Sequence, residues 1–188
     1  MTNTNRQYFH DMYKTTDDPW SVATSPYELR KYALTVAALP NERYRNVFEP
    51  GCSIGVLSER LASRCDQLLC TDVVPAALAT ASSRLRDYVH VKVEYLAIPE
   101  LWPSGPFDLI VLSEVCYYFD VCTLNSILSK ILKSTDSGAH IVGVHWRGDT
   151  NYPATADEVH DRMNRCPNFR RIVHHVEPEF VLDVWERE

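Results

Sequence analysis

A doubly wound α/β fold, its mostly parallel seven-stranded sheet ending in an antiparallel hairpin, is predicted by three features of the sequence. From Asn46 onward, short β-branched or apolar runs alternate with segments of helical periodicity, as a parallel sheet with crossover helices requires. The run Phe107-Asp108-Leu109-Ile110-Val111-Leu112 is the most hydrophobic, as suits the centre of a sheet covered on both faces. Two later strand-like runs, 169–176 and 180–185, are separated only by Glu177-Pro178-Glu179. A parallel crossover needs about a dozen residues, so this short link makes the pair antiparallel.

Residues 1–44 are expected to form a helical, aromatic cap and 45–188 the Rossmann-like core of one compact domain. In the cap, Ser25-Pro26-Tyr27-Glu28 is a capping-box pattern with proline at the first helical position, opening a helix through Leu29, Tyr32, Ala33 and Val36. The leader before it, Tyr8-Phe9-His10-Asp11-Met12-Tyr13 and Asp18-Pro19-Trp20, is too aromatic to float free in water. The core opens with the strand Asn46-Val47-Phe48-Glu49, closed by Pro50-Gly51. Ile54, Leu57, Leu61 and Cys65 then make an apolar helix stripe, with Ser58, Glu59, Arg60 and Arg64 on the other faces. Leu68-Leu69-Cys70-Thr71 is the second strand and ends at Asp72. Pro75 starts an alanine-rich helix over 76–86, and 89–93 is the third strand. After the central strand, Leu124, Ile127, Leu128, Ile131 and Leu132 repeat at helical spacing. Gly138 ends that helix, 139–144 is the fifth strand, and a further helix covers 155–165.

With 188 residues, 45% of them apolar and 23% charged, the chain has the make-up of one folded domain. Its net charge of −6 offers no basic field for nucleic acid or an anionic membrane, which leaves a small molecule as the expected partner. No apolar run reaches the roughly 18 residues of a membrane span, and the polar start from Met1 to Arg6 lacks a signal-peptide core, so a cytoplasmic location is expected. The six cysteines contain no C-x-x-C pair, and His145 and His160 are too far apart for an H-E-x-x-H face, so no metal is expected. Oligomeric state is left open.

In such a sheet, ligands collect beyond the carboxyl ends of the strands. Those ends are the turn Glu49-Pro50-Gly51-Cys52-Ser53-Ile54-Gly55, then Asp72 with Val73, then Ser113-Glu114, then His145-Trp146-Arg147. Glycines in the first turn let a ligand approach the backbone closely. E-x-G-x-x-x-G is not the dinucleotide pattern G-x-G-x-x-G, and Glu49 would repel a pyrophosphate but suits a cation. Asp72 follows about 20 residues on, where these folds hold a ribose through a carboxylate. A ribose together with a positive charge and no phosphate describes S-adenosyl-L-methionine (SAM).

The chain resembles the class I SAM-dependent methyltransferases, and more closely the nodulation protein S (NodS) family of N-methyltransferases. The resemblance rests on Asp18-Pro19-Trp20, Ser25-Pro26-Tyr27-Glu28, the 49–55 turn, and the segment from Phe107 through Ser113-Glu114-Val115 to Tyr117-Tyr118. It implies a SAM cofactor held by Glu49, Gly51, Cys52, Ser53, Gly55, Asp72, Val73, Ser113, Glu114 and Trp20. It also implies methyl transfer to nitrogen on a small-molecule or sugar acceptor such as an amino sugar. Two positions depart from the family pattern. Ser53 replaces the middle glycine of E-x-G-x-G-x-G, and Leu96-Ala97-Ile98 lacks the acid that usually meets the adenine amino group, which leaves that contact to backbone groups or Glu100.

A sulfonium donor is already activated, so an enzyme contributes mostly by positioning the acceptor and keeping its lone pair free. Where a proton must leave, Glu114, Tyr117 and His145 are the candidate catalytic groups, and His145, with its ordinary pKa near neutrality, is expected to act as the base. Each also has a structural reading: a helix-start acid, a core aromatic and a hydrogen-bonded strand-end histidine. Tyr8, Trp20 and Tyr27 are either a lid over the cofactor or a hydrophobic cap. The short stretch after the fifth strand fits a small amine or hydroxyl acceptor as well as an oligosaccharide. An O-methyltransferase, a non-catalytic SAM-binding protein and an NAD-linked oxidoreductase are the alternatives.

Overall fold

The computed structural model describes residues 3–188; Met1 and Thr2, at the head of the expected cap and of its polar start, lie outside the described residues. Two compact units are formed, one of residues 5–97 and the other of residues 98–188 together with residues 3–4.

The first unit runs α1 (Arg6–Met12), α2 (Pro26–Ala37), β1 (Tyr44–Pro50), α3 (Val56–Ala62), β2 (Cys65–Asp72), α4 (Pro75–Leu85) and β3 (Val91–Tyr95). Its strands pair in parallel, β1 with β2 and β2 with β3, and α3 and α4 cover them. Ser25 caps α2 by accepting the Glu28 N–H, Pro26 takes the first helical turn, and the Glu28 carboxylate pairs with the buried Lys31 at 3.0 Å. The apolar stripe of α3 stops short of its expected end, because Cys65 already belongs to β2. Ser58, expected on the polar side, is fully buried. β3 begins two residues later than the periodicity suggests. A turn intervenes, in which the Tyr88 N–H reaches the Leu85 carbonyl and the Val91 N–H reaches that of Tyr88, leaving Val89 98% exposed.

The second unit runs β4 (Phe107–Ser113), a 3-10 turn (Cys116–Tyr118), α5 (Val121–Ser134), β5 (Thr135–Trp146), α6 (Ala156–Asn164), β6 (Phe169–Val176) and β7 (Phe180–Arg187). β4 and β5 are parallel, and β7 lies antiparallel to both β5 and β6. Thr155 and Glu158 form a full capping box at the start of α6. Gly138 does not close α5 as expected. The helix ends at Ser134, β5 starts at once, and Gly138, at φ +84°, sits inside the strand where its pairing with β4 jumps from Phe107–Thr135 to Leu109–His140. Trp185, Phe180, Ile141, Val142 and Val144 are buried among these strands, and the Trp185 indole N–H donates to the Asn164 side chain at 2.8 Å.

The seven strands form one sheet in the order β3-β2-β1-β4-β5-β7-β6, the predicted fold class with its antiparallel C-terminal pair. No helix among the described residues is long and apolar enough to cross a membrane.

Candidate functional site

In the 5–97 unit, the turn after β1 is built on left-handed backbone at Gly51, Ser53 and Gly55. Such φ values are ordinary for glycine and costly for serine. The chain tolerates Ser53 because its neighbours hold it. Its N–H donates to Asp72 Oδ2 at 2.9 Å, and its hydroxyl lies 2.6 Å from that of Tyr13. Gly51 and Cys52 N–H groups both reach the Thr71 carbonyl, which ties the turn to the end of β2. At Gly55 a side chain would meet Ala81 of α4 at 3.2 Å, so the absent Cβ is also what lets α4 approach.

Two carboxylates stand at this turn. Glu49 is buried, and Ser58 donates a hydroxyl to its Oε2 at 2.5 Å. Burial pushes its pKa up to about 7, against the lowering effect of hydrogen bonds from Ser58 and Cys70. Those partners are neutral, so an approaching cation would find an unneutralised acid. Asp72 ends β2 with Oδ2 on the Ser53 N–H and Oδ1 on the N–H groups of Val73 and Val74. Burial raises its pKa, and these three N–H groups oppose the rise.

Each oxygen of an ionised carboxylate has two acceptor sites, so Asp72 Oδ1 is filled by its two N–H groups and Oδ2 keeps one site. Tyr13 meets Trp20 edge to face at 5.7 Å, which links Trp20 to the turn through Tyr13. Tyr27 lies 4.8 Å from the Lys31 ammonium, and Tyr8 packs on Phe9. At the end of β3, the Leu96 N–H donates to the Asp72 carbonyl, and Ala97 is buried.

In the 98–188 unit, Ser113 ends β4, and Glu114 follows at φ +53°, a left-handed non-glycine residue. Its N–H donates to the Val144 carbonyl, and its Oε2 accepts from the Tyr117 hydroxyl at 2.5 Å and the Trp146 N–H at 3.0 Å. Burial first, and the Glu114 charge second, lift the Tyr117 phenol well above its usual range, so Tyr117 acts as a proton donor. Its ring stacks on Tyr152 at 5.2 Å and meets Tyr118 and His145 edge to face.

His145 departs from the role expected of it. The ring is fully buried, Nε2 accepts from the Cys116 N–H at 3.2 Å, and Nδ1 lies 3.0 Å from His160 Nε2. With both nitrogens engaged, the ring has no lone pair open to a substrate proton.

A family model of nodulation protein S (NodS) matches residues 3–145. The chain belongs to the NodS family. It is 30% identical over 141 residues to the nodulation protein S of Rhizobium tropici, a match that covers 71% of this chain and 59% of that protein. The chain therefore spans less than two thirds of the length of that relative. Among solved structures, a candidate methyltransferase from Pseudomonas syringae is 42% identical, with 86% of this chain and 99% of that one covered and a TM-score of 0.77. The N-methyltransferase NodS of Bradyrhizobium japonicum WM9, in complex with S-adenosyl-L-homocysteine, shares the fold at a TM-score of 0.85 over 96% of this chain and 97% of its own, with 23% identity.

Seven of the residues expected to hold a cofactor, Glu49, Gly51, Cys52, Ser53, Gly55, Asp72 and Val73, lie in the turn after β1 or at the end of β2. Ser113, Glu114, Tyr117 and His145 gather at the ends of β4 and β5 in the other unit. Tyr13, Ser58, Tyr152, His160 and Asp183 join these groups without having been expected there. For Asp183 the signal was an acid inside the apolar run Phe180-Val181-Leu182-Asp183-Val184-Trp185. For Tyr13 it was an aromatic leader whose partner no spacing rule names. Among the described residues, no group of acids, histidines and cysteines is arranged to hold a metal ion.

Proposed function

We propose that this NodS-family protein is a SAM-dependent methyltransferase acting on a nitrogen of a small-molecule or sugar acceptor. The observation that carries the reading is the turn after β1, where left-handed backbone at residues 51, 53 and 55 lies between the buried Glu49, whose hydrogen-bond partners are neutral, and Asp72 at the end of β2. The residues fit SAM. Glu49 complements its amino group, Asp72 Oδ2 keeps an acceptor site for a ribose hydroxyl, and a pyrophosphate would meet two carboxylates, which disfavours NAD.

SAM supplies an electrophilic methyl on a sulfonium, so the chain's own task is binding, orientation and proton management. Glu49 and Asp72 anchor the two ends of the cofactor. Glu114 is the proposed proton acceptor for the nucleophilic nitrogen, its carboxylate aimed by the Tyr117 hydroxyl and the Trp146 N–H. Nitrogen is favoured because the Bradyrhizobium relative is an N-methyltransferase; an amino sugar follows from the family resemblance, and a hydroxyl acceptor is the second reading.

Calorimetry with S-adenosyl-L-homocysteine and with NAD tests the cofactor: micromolar binding of the first and none of the second is expected, and the reverse rejects the reading. Screening amines, amino sugars and sugar hydroxyls for demethylated cofactor identifies the acceptor. Binding without turnover on any of them would make the protein a SAM binder instead.

A further inference from the structure

A buried chain of polar side chains runs through the 98–188 unit, and its outer members lie beyond the residues matched by the family model. Asp183, on β7, is fully buried in an otherwise apolar run. Its Oδ2 lies 2.7 Å from His160 Nδ1 on α6, and its Oδ1 lies 2.6 Å from His174 Nδ1 on β6. Burial raises its pKa, but the hydrogen bonds from His160 and His174 oppose that, and the carboxyl is held below its usual range. His160 Nε2 in turn lies 3.0 Å from His145 Nδ1.

One fixed donor sets the direction of the whole chain. The Cys116 N–H can only donate, so His145 Nε2 is an acceptor and its proton resides on Nδ1. That Nδ1–H donates to His160 Nε2, the His160 proton is therefore on Nδ1, and it donates to the Asp183 carboxylate. The Asp183 charge thus fixes two neutral tautomers in series and ends at a backbone N–H. That N–H opens the 3-10 turn two residues after the strained Glu114, the turn that carries Tyr117.

We infer that Asp183 and His160 are positioning residues for the transfer reaction. Acting through His145, they hold the Cys116–Tyr118 turn so that Tyr117 and Glu114 keep their mutual hydrogen bond. This rests on the proposed methyltransferase function for its consequence in catalysis, but not for its structural content. An apolar pair at these positions would fill the same space without desolvating an acid, and the energetic cost is what a device that sets orientation, rather than mere filling, explains.

Nitrogen-15 NMR of histidine-labelled protein tests the direction without any substitution: His145 is expected neutral, with Nδ1 protonated and Nε2 not. The opposite tautomer overturns the inference. His160→Leu removes the acceptor for the His145 Nδ1–H, whereas His160→Gln keeps one in its amide oxygen. Per folded molecule, His160→Leu should shift the Cys116 amide and Tyr117 hydroxyl resonances and lower kcat by about tenfold to a hundredfold. Cofactor KM should stay within about twofold, and His160→Gln should recover most of the rate.

Unchanged kcat and resonances in folded His160→Leu, or equal losses in both variants, would reduce the chain to a packing element. If the wild-type protein turns over no acceptor, the methyltransferase reading fails, and the resonances alone decide the positioning role.

Discussion

The Tyr13 hydroxyl lies 2.6 Å from the Ser53 hydroxyl, so the leader after α1 is pinned to the one non-glycine residue holding left-handed backbone in the turn after β1. Tyr13 is buried, and burial lifts its phenol far above the usual range, which keeps it protonated at any working pH. Tyr13→Phe should cost about 1 kcal/mol of stability and weaken S-adenosyl-L-homocysteine binding several-fold. Ser53→Gly relaxes the backbone while losing the same bond, so its stability should change less than that of Tyr13→Phe. Denaturant melts and calorimetry on both variants check this, and a larger loss for Ser53→Gly would show that the backbone carries no strain.

Glu49 gives the pH dependence a definite sign. Its folded pKa of about 7 is above the value near 4.5 of an unburied glutamate. Its contribution to folding is therefore fully present below about pH 4.5 and is lost as pH rises through 7, by about 3 kcal/mol at most. Glu49→Gln should flatten that part of the stability curve. Cofactor binding should run the other way, tightening from pH 5.5 to 8 as the acid ionises and meets the amino group. A wild-type affinity independent of pH would separate Glu49 from the ligand.

Asp72→Ala removes acceptors from the N–H groups of Ser53, Val73 and Val74 as well as from a ribose. SAM affinity should fall about tenfold or more, since bonds to a charged carboxylate are worth about 1.5 to 3 kcal/mol. The melting temperature should fall too. Asp72→Asn, which keeps one acceptor oxygen, should lie between the two proteins on both measures.

The thiols divide by burial. Cys52, Cys65, Cys70 and Cys116 are buried, while Cys122 is exposed and Cys166 intermediate. Burial also pushes the Cys116 thiol up to about 12 and that of Cys52 well above its usual value. An aromatic disulfide reagent should therefore label Cys122 fast and Cys166 next. Cys52 and Cys116 should react only with unfolding, with or without cofactor. Protection of either by SAM in the folded protein would show that it opens to solvent.

His145→Gln should lower the methylation rate by a constant factor at every pH, because both nitrogens of His145 are engaged away from substrate. Glu114→Gln should instead lose most at low pH, by about 10²- to 10⁴-fold, and recover toward the acceptor's own pKa. Both should keep cofactor affinity. pH–rate profiles distinguish them, and a profile for His145→Gln that recovers at high pH would restore it as the base.

The order of strands, the turn after β1 and the antiparallel end were legible because periodicity and link length depend on local sequence. Ser58 and His145 were misjudged for a different reason. A helix stripe assigns Ser58 to a polar face, but a single buried acid, Glu49, draws it inward. A strand-end histidine looks available until α6 and β7 bring His160 and Asp183 behind it. Partners on different elements, separated by 9 to 40 residues along the chain, leave no periodic trace.

The position of β7 between β5 and β6 also governs the order of assembly during synthesis. The ribosome delivers β4, β5 and β6 before the strand that must lie between the last two. Until Phe180–Arg187 emerges, the edge of β5 that carries Ile141, Val142 and Val144 has no partner. The 5–97 unit has all its strands in hand much earlier. A nascent chain stalled near Val176 would thus carry a finished first unit and an open, adhesive sheet edge, the form a chaperone would be called on to shield.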